Sequence, residues 1–494
     1  MTIVRALACC LLALAVLLPA RAAVGLPEKV EKVYGHKSNA PSDRDVGGWY
    51  VNLGPTGARV SIHPEAPKAL VVRYVFEGSP AFGKLKVGDK IVGIAGTPFA
   101  TAHKFGYGMA FFGSVGPTED VGNAIEALPA KRRGTLELDV VRGSKQRTAK
   151  IRMPFKDGGF AATYPKDCPK SEAILDTTLA YLAEKQRGDG LWHQRPHINA
   201  FAALALLASG EKRYKPHVTK AAKAFARDTK AEDMRGAYLG WHYGLAGIVL
   251  GEYYLATKSK WVLRELQEIH DWLVAAQAPR GGWGHRKWDH PEGNGYGPIC
   301  MITGQIMMAF SLMQRCGIDV DKKTYDRTQA FIARGTSARG YVWYKDQNAG
   351  DKKYADMGRT GAAVLAHALS PTGGTAFRDY ALRGAKLIGE HPEPFPDTHG
   401  CPLLGQGWTA LAAMLDPAAY RSLMDSHRWF WNLSRNPDGT FIYQPNRDSN
   451  PQDYAAAPRL SATAMTALVF AAPRGHLQMI KPPASGAPTT GGGK

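Results

Sequence analysis

The chain has 494 residues, more than one ordinary hydrophobic core accommodates, so its length predicts two domains or a large repeat domain beside a small one. Lys and Arg outnumber Asp and Glu by 62 to 43, a formal charge of +19, which is most simply a solvated basic surface. A charge of this sign suits an acidic glycan, the membrane surface or nucleic acid, but no arginine-rich helix or aromatic-interleaved basic patch is present, which favours the solvated surface and argues against nucleic acid.

The first 22 residues have the layout of a secretory signal peptide. Arg5 precedes an apolar run, Ala6–Leu18, and small residues lead up to a cleavage site after Ala22. That run is too short to span a bilayer comfortably, and no later run is long and apolar enough to do so. We therefore expect a soluble exported protein, periplasmic or extracellular, without a membrane span. Residues 23–45 are polar, contain Pro and Gly, and are predicted to form a linker.

Two of the six cysteines leave with the signal peptide. The other four are too few for a disulfide scaffold in a chain of this length, although one or two bridges are compatible with export. These four are Cys168, Cys300, Cys316 and Cys401.

Residues 46–156 show short β segments broken by Gly and Pro, with one convincing helix, "DVGNAIEAL". The stretch "VFEGSPAFGKLKVGDKIVGIAGTPF" and the later "LELDVVRGSKQRTAKIRM" resemble a PDZ domain of the bacterial kind. The resemblance implies that an extended peptide or a polypeptide C-terminus binds at a sheet edge. By position in the domain, the peptide-binding loop would comprise Leu53, Gly54, Pro55, Thr56 and Gly57. Pro55 removes one backbone N–H donor from that loop, so the alternative is a PDZ fold used as a spacer or packed against its neighbour.

Long helical patterns alternate with Gly- and aromatic-rich connectors from residue 165 to residue 475. We predict twelve helices there: Ser171–Gln186, Ile198–Ala208, His217–Arg227, Ala237–Leu255, Lys260–Gln277, Ile299–Cys316, Lys322–Arg334, Arg359–Leu369, Phe377–Gly389, Pro402–Leu415, Ala418–Asn432 and Leu460–Ala471. The odd-numbered helices are amphipathic and the even-numbered ones are apolar nearly all round, so the latter must be buried. Six exposed helices alternating with six buried ones predict an all-α (α/α)6 toroid. The tail, residues 476–494, is low in complexity and is predicted to be disordered.

The connectors after several outer helices repeat a pattern of Gln, Gly and Trp, as in "QRGDGLW" and "QAPRGGW". We expect Gly190, Gly282, Gly340 and Gly439 to allow the reversals, and Gln186 and Gln277 to bond free backbone groups at the turns. The pattern resembles the Gln–Trp motifs of the terpenoid cyclase and protein prenyltransferase toroids, and similar turns occur in toroidal polysaccharide lyases. The combination of modules resembles a family of exported bacterial proteins that join a PDZ domain to a toroid.

In such toroids the ligand cavity lies where the inner helices begin, because free N–H groups and the positive helix dipole meet there. A polysaccharide lyase needs a base and an arginine for a uronate carboxylate. Four residues near those ends fit these roles and are the catalytic candidates: His242, Tyr243, Arg359 and Arg459.

A metal site is a further hypothesis. Asp397, His399 and Cys401 stand within five residues just before a buried helix, and their side chains are of the types that zinc takes. The alternative is that Asp397 caps the helix, His399 bonds locally and Cys401 packs as a small apolar residue. Taken together, the sequence favours an exported binding or scaffold protein whose PDZ domain docks a polypeptide and whose toroid binds a ligand. The alternative is an enzyme with its site in the toroid cavity, lyase-like or zinc-dependent.

Overall fold

The computed structural model describes residues 50–63, 65–104, 115–130, 133–229, 238–291, 293, 295–351, 354, 356–370, 375–396, 401–444 and 457–481. The predicted signal peptide and linker, the tail after residue 481, and two members of the predicted metal site, Asp397 and His399, lie outside these residues.

The first structural unit is a small antiparallel sheet. Its strands are β1 (Val51–Asn52), β2 (Ala58–His63), β3 (Ala66–Val75), β4 (Lys90–Ile94), β5 (Thr97–Pro98), β6 (Thr135–Arg142) and β7 (Lys145–Arg152). They pair in the order β1-β2-β3-β4-β6-β7, with β5 on β4. One helix, α1 (Pro117–Glu126), packs against β3 and β4 and buries Val121 and Ile125. The sheet is thus covered by a helix that has one apolar face.

Thirteen further α-helices follow in the part of the chain that the structure describes. They are α2 (Pro169–Lys185), α3 (Pro196–Ala208), α4 (Lys215–Asp228), α5 (Leu239–Thr257), α6 (Trp261–Ala276), α7 (Cys300–Arg315), α8 (Lys322–Arg334), α9 (Gly358–Leu369), α10 (Thr375–Glu390), α11 (Pro402–Ala413), α12 (Pro417–Ser426), α13 (Arg428–Ser434) and α14 (Pro458–Ala471). Eleven of the twelve predicted helices are present as single helices, and the other, Ala418–Asn432, is divided into two.

Six of these helices form a closed inner ring. Each of α3, α5, α7, α9, α11 and α14 packs against the next, and α14 packs against α3 to close the circle. Nearly every side chain of α7, α9 and α11 is buried, as the apolar patterns predict. The amphipathic helices α2, α4, α6, α8, α10 and α12 alternate with them along the chain and pack outside. The helical domain is therefore an (α/α)6 toroid.

The centre of the ring is filled rather than open. Phe201 of α3 and Trp408 of α11 come from helices that are not neighbours in the ring, yet their ring centroids are 4.9 Å apart. Both side chains are fully buried. This contact closes the ring at that level, so the two ends of the ring are the places where a ligand could approach it.

The end at which α5 finishes is covered by residues 476–481, which the sequence assigns to a disordered tail. Leu477 and Met479 are fully buried there. The carboxylate of Glu252 accepts hydrogen bonds from the backbone N–H groups of Gln478 (2.8 Å) and Met479 (2.5 Å). This leaves the opposite end, where the inner helices begin, as the mouth of the toroid.

The connectors fasten one helical hairpin to the next. The Gln186 amide donates to the carbonyls of Gly190 (2.9 Å) and His217 (3.0 Å), and the Gln277 amide donates likewise to Gly281 and Thr324. The indole N–H of Trp283 donates back to Leu273 of the preceding helix. Both predicted glutamine roles are confirmed.

One predicted glycine role is wrong. The left-handed residue of the second connector is Gly281, with φ +99°, and not Gly282. Gly282 is needed for packing instead, because a Cβ there would lie 2.8 Å from the ring of Phe331.

The predicted helix Ala418–Asn432 is broken in two at His427, whose φ of −120° and ψ of 21° end α12 and precede α13. The buried ring of His427 packs against Phe395 with the two rings tilted, and its Nδ1 lies 2.8 Å from the Leu423 carbonyl. The break turns α13 toward the sheet, where it packs against α1 and the 3-10 turn Gly54–Thr56.

Candidate functional site at the toroid mouth

Each inner helix is reached through an outer helix, so the six inner helices run in the same direction and begin at the same end of the ring. Their first turns carry unbonded N–H groups and the positive end of the helix dipole. Partly exposed polar and aromatic side chains cluster around these first turns. The best-defined group, which we call the mouth cluster, consists of Arg195, Tyr238, Trp241, His285 and Tyr296.

His285 is at the centre of the mouth cluster. Its ring centroid lies 5.4 Å from that of Tyr238 and 5.3 Å from that of Tyr296, both in edge-to-face geometry. The indole N–H of Trp241 donates to His285 Nδ1 over 2.8 Å. The guanidinium carbon of Arg195 lies 5.1 Å from the centroid of the Tyr238 ring. Three residues therefore contact this one imidazole, and Arg195, from a separate segment, contacts one of those three.

Glycines bring these segments together. The N–H of Gly240, in the first turn of α5, donates to the His285 carbonyl over 2.9 Å, and a Cβ on Gly240 would lie 2.2 Å from the Gly284 oxygen. Gly295 has φ +79°, and a Cβ there would lie 2.8 Å from Cδ2 of His285. The loop before α7 can therefore fold onto α5 only because these positions carry no side chain.

The contact with Trp241 fixes the tautomer of His285. An indole N–H only donates, so Nδ1 of His285 must accept, and the ring proton is on Nε2. Burial, with a smaller contribution from the charge of Arg286, lowers the pKa of His285. The ring is therefore neutral at neutral pH, and Nε2 presents an N–H donor, for which the structure shows no acceptor among its described residues. Such a ring suits binding of a ligand oxygen rather than removal of a proton.

Replacing Trp241 by phenylalanine tests this assignment. The Trp241→Phe variant loses the donor that only the neutral ring can accept, so the pKa of His285 should rise toward its ordinary value. The measurement is an NMR titration of the His285 ring, assigned with a His285→Asn variant. Trp288→Phe is the matched control, since Trp288 is an exposed indole of the same loop. An unchanged titration in Trp241→Phe would contradict the assigned hydrogen bond.

Two predicted catalytic residues, His242 and Tyr243, face the outer helices. The Tyr243 hydroxyl donates to the Thr229 carbonyl over 2.8 Å, and its ring stacks on Trp272 with centroids 3.8 Å apart. His242 stacks on Phe225 of α4, and burial lowers its pKa to about 4. Both side chains thus fill the spaces between helices.

Arg359 is buried in a network of its own. It forms an ion pair with Asp356 over 2.7 Å and donates to the Tyr341 hydroxyl over 3.0 Å and to the Val342 carbonyl. Its guanidinium carbon is 5.8 Å from the Tyr344 ring centroid. These bonds hold the connector before α9 against that helix.

Arg459 pairs with Asp438 and donates to the Thr440 hydroxyl over 3.0 Å, so it holds the connector before α14. The structure does not bring the four catalytic candidates together. Only the chain neighbours His242 and Tyr243 lie near each other, with ring centroids 6.2 Å apart.

Of the predicted metal ligands, only Cys401 is among the described residues. It is half-buried and immediately precedes α11. Within the described ranges, no group of three or more His, Cys, Asp and Glu side chains is arranged to hold a metal ion. The remaining three cysteines are Cys168, Cys300 and Cys316. All three are buried free thiols, so none of them forms a disulfide bridge in this structure.

The predicted peptide-binding residues, Leu53 to Gly57, are all buried, and helix α13 covers them. A Cβ on Gly54 would lie 2.3 Å from the Asn432 carbonyl oxygen. The neighbouring Asn52 donates from its side chain to the Leu433 carbonyl over 2.7 Å. In this structure the loop is a contact between the sheet and the toroid.

The sequence reasoning did not select Arg195, Tyr238 or Trp241. One signal was available, since Tyr238 and Trp241 are three residues apart at the start of a helix and so share a face. The partner of that face, His285, is 44 residues further along the chain. The sequence pattern around Trp241 does not predict a contact with a residue so far along the chain.

These contacts define the class of the helical domain, an all-α toroid with one closed end and an aromatic-lined mouth. The chain belongs to the family described as a domain of unknown function, DUF6288, which matches residues 171–480. Comparison with curated protein sequences finds no significant match. Across the described residues, no helix combines the length and the hydropathy needed to cross a membrane.

Solved structures with similar chain paths include three proteins. The GH76A α-1,6-mannanase of Salegentibacter sp. HEL1_6 is 12% identical, with a TM-score of 0.46 over 61% of this chain and 98% of its own. The type II terpene cyclase MstE of Scytonema is 15% identical, with a TM-score of 0.42 over 61% and 97%. Cellobiose 2-epimerase of Bacillus thermoamylovorans is 12% identical, with a TM-score of 0.42 over 61% and 98%.

Proposed function

We propose that this protein binds a carbohydrate chain at the toroid mouth. The observation that carries the proposal is the mouth cluster, in which two exposed aromatic rings flank a neutral imidazole donor. Tyr238 is 43% exposed and Tyr296 is 66% exposed, which is unusual for large side chains with so much apolar surface. The C–H faces of a sugar ring pack on aromatic rings, while its hydroxyl oxygens accept from placed donors such as Nε2 of His285.

The proposal gives each module a role. Polysaccharide is plentiful outside the cell, which agrees with the secretory pattern of residues 1–22. The sheet, with its PDZ-like sequence, supports the toroid through α13 in this proposal. A peptide that used Leu53–Gly57 would have to displace that helix, so we assign the binding function to the mouth.

Removing either exposed tyrosine ring should weaken glycan binding. Tyr238→Ala and Tyr296→Ala are each expected to lower affinity at least about fivefold, since one aromatic contact contributes about 1 kcal/mol beyond the area it buries. The measurement is isothermal titration against a panel of neutral and acidic oligosaccharides. Trp261→Ala is the control, because Trp261 is an exposed ring on the outer helix α6, away from the mouth cluster. Equal binding by all four proteins, or none by the parent, would refute the proposal.

An enzymatic function at the same mouth is the second candidate. The observation that favours it is the neutral state of His285, because a neutral ring N–H can stabilise negative charge that develops on a substrate oxygen. Incubation of the parent and His285→Asn with each oligosaccharide that binds, followed by mass spectrometry of the products, separates the two cases. Turnover by the parent that His285→Asn loses supports an enzyme; an unchanged ligand supports a binding protein.

A further inference from the structure

Arg195 differs from the other arginines near the mouth. Its side chain makes neither an ion pair nor a hydrogen bond with any residue that the structure describes, and its guanidinium lies over the ring of Tyr238. Arg359 and Arg459, which also stand at the starts of inner helices, are both paired with aspartates. The guanidinium of Arg195 thus lies over an aromatic ring immediately before the first residue of α3, and its N–H groups have no acceptor among the described residues.

The surroundings of Arg195 are positive as well. Its charge contributes, after burial, to the lowered pKa values of His193 and His197 on the same turn. Arg286 follows His285 in the chain, and its charge likewise lowers the pKa of His285, after burial. Among the described residues of that loop, Asp289 has its carboxylate paired with Lys287. A ligand that reaches this part of the mouth therefore meets the positive charge of Arg195 beside an N–H donor.

We propose that the mouth selects an acidic saccharide, with Arg195 binding the carboxylate of a uronic acid residue and His285 donating from Nε2 to an oxygen of the same or the adjacent sugar. This inference rests on the proposed glycan binding and adds the class of sugar. A guanidinium offers two parallel N–H groups that match the two oxygens of a planar carboxylate. Stacking on Tyr238 limits the rotation of the guanidinium and so lowers the entropy lost on binding.

The test uses pairs of oligosaccharides that differ only in charge. Galacturonan, mannuronan and glucuronan trimers are each compared with their methyl esters, which keep the sugar ring and lose the carboxylate. The parent is expected to bind at least one acid about tenfold more tightly than its ester. Arg195→Gln should abolish that preference while leaving the binding of the ester within about twofold of the parent.

A matched control separates a bound carboxylate from bulk charge. Arg264→Gln also removes one positive charge, but Arg264 is an exposed residue of α6 paired with Glu268. The Arg264→Gln variant should retain the full preference for the acid over the ester at both low and physiological salt. A sulfated trimer without carboxylates completes the panel and is expected to bind Arg195 more weakly than the acid.

The outcomes distinguish the two proposals. If acid and ester bind the parent equally, or if Arg195→Gln and Arg264→Gln change the preference equally, selection of a uronate is wrong while glycan binding stands. Preference for the sulfated trimer would replace the carboxylate as the group that Arg195 binds. Binding of no trimer by the parent would overturn the glycan proposal itself.

Discussion

Replacing Glu126 by glutamine is expected to lower the free energy of the first urea-unfolding transition by about 3 kcal/mol, because it leaves a buried lysine without its carboxylate. Glu126 ends α1, and its Oε2 lies 3.3 Å from Nζ of Lys170, the second residue of α2. Only 3% of Lys170 is exposed. Burial lowers the pKa of Lys170, and the charge of Glu126 is the first of the effects that oppose this.

The expected loss of stability is large because the Glu126 carboxylate makes several of the polar contacts between the sheet and the toroid. Its Oε1 accepts from the Phe160 backbone N–H over 2.7 Å, and its Oε2 accepts from the Asn432 side chain over 2.9 Å. Arg428 reaches the same carboxylate over 3.3 Å. Lys170 also donates to Asn432 Oδ1 over 2.6 Å. One carboxylate therefore connects α1, α2 and α13.

Two further variants identify the cause. Glu137→Gln removes a carboxylate from an exposed pair with Lys150 and should cost less than about 1 kcal/mol. The double variant Glu126→Leu with Lys170→Met replaces the buried pair by apolar groups of similar size and should recover much of the loss. If Glu126→Gln unfolds at the same urea concentration as Glu137→Gln, the buried pair does not hold the two modules together.

The alternation of apolar and amphipathic helices was sufficient to predict the toroid. A helix such as Cys300–Arg315, apolar on every face, has no stable position except between other helices. The break at His427 could not be predicted in the same way. The segment has good helical spacing, and its interruption depends on the packing of the His427 ring near Phe395, 32 residues earlier in the chain.

The candidate site was predicted less well than the fold, for a related reason. The predicted catalytic residues are polar side chains at the starts of inner helices, but polarity does not determine the direction in which a side chain points. Tyr243 points outward because Trp272 offers a stacking partner there. Trp241, two positions earlier, lies about 200° round the helix from Tyr243 and so meets the loop of His285. Only the fold of that loop decides which of the two contributes to the mouth.

The β region is packed against the toroid, as the alternative to peptide binding predicts. Pro55 was the reason to consider a domain packed against its neighbour, and the structure buries Pro55 in the contact with α13. The closeness of the contact depends on residues that sequence alone does not single out. A Cβ on Gly122 of α1 would lie 2.7 Å from Cβ of Trp429, so only glycine lets α1 and α13 approach so closely.

The second large effect concerns Glu252 and the covered end of the toroid. Burial raises the pKa of Glu252 from 4.5 to about 7, against the two backbone N–H groups that favour its charged form. The folded protein then binds one more proton than the unfolded chain between these two pH values. The free energy of unfolding should therefore fall as the pH rises from about 4.5 to about 7, by up to about 3 kcal/mol from this group.

Glu252→Gln isolates that contribution, because glutamine does not titrate. The variant has a constant offset from lost or altered hydrogen bonds to Gln478 and Met479, so the informative quantity is the difference between parent and variant across pH. Urea unfolding is measured from pH 4.5 to 8. The free energy of unfolding of the variant, relative to that of the parent, should rise by about 3 kcal/mol over this range and become constant above pH 7. Glu268→Gln, which removes a carboxylate at an exposed position of α6, is measured in parallel as the control. A flat difference for Glu252→Gln would mean that Glu252 titrates alike in the folded and unfolded states, and that the buried end of the toroid admits enough water to solvate its charge.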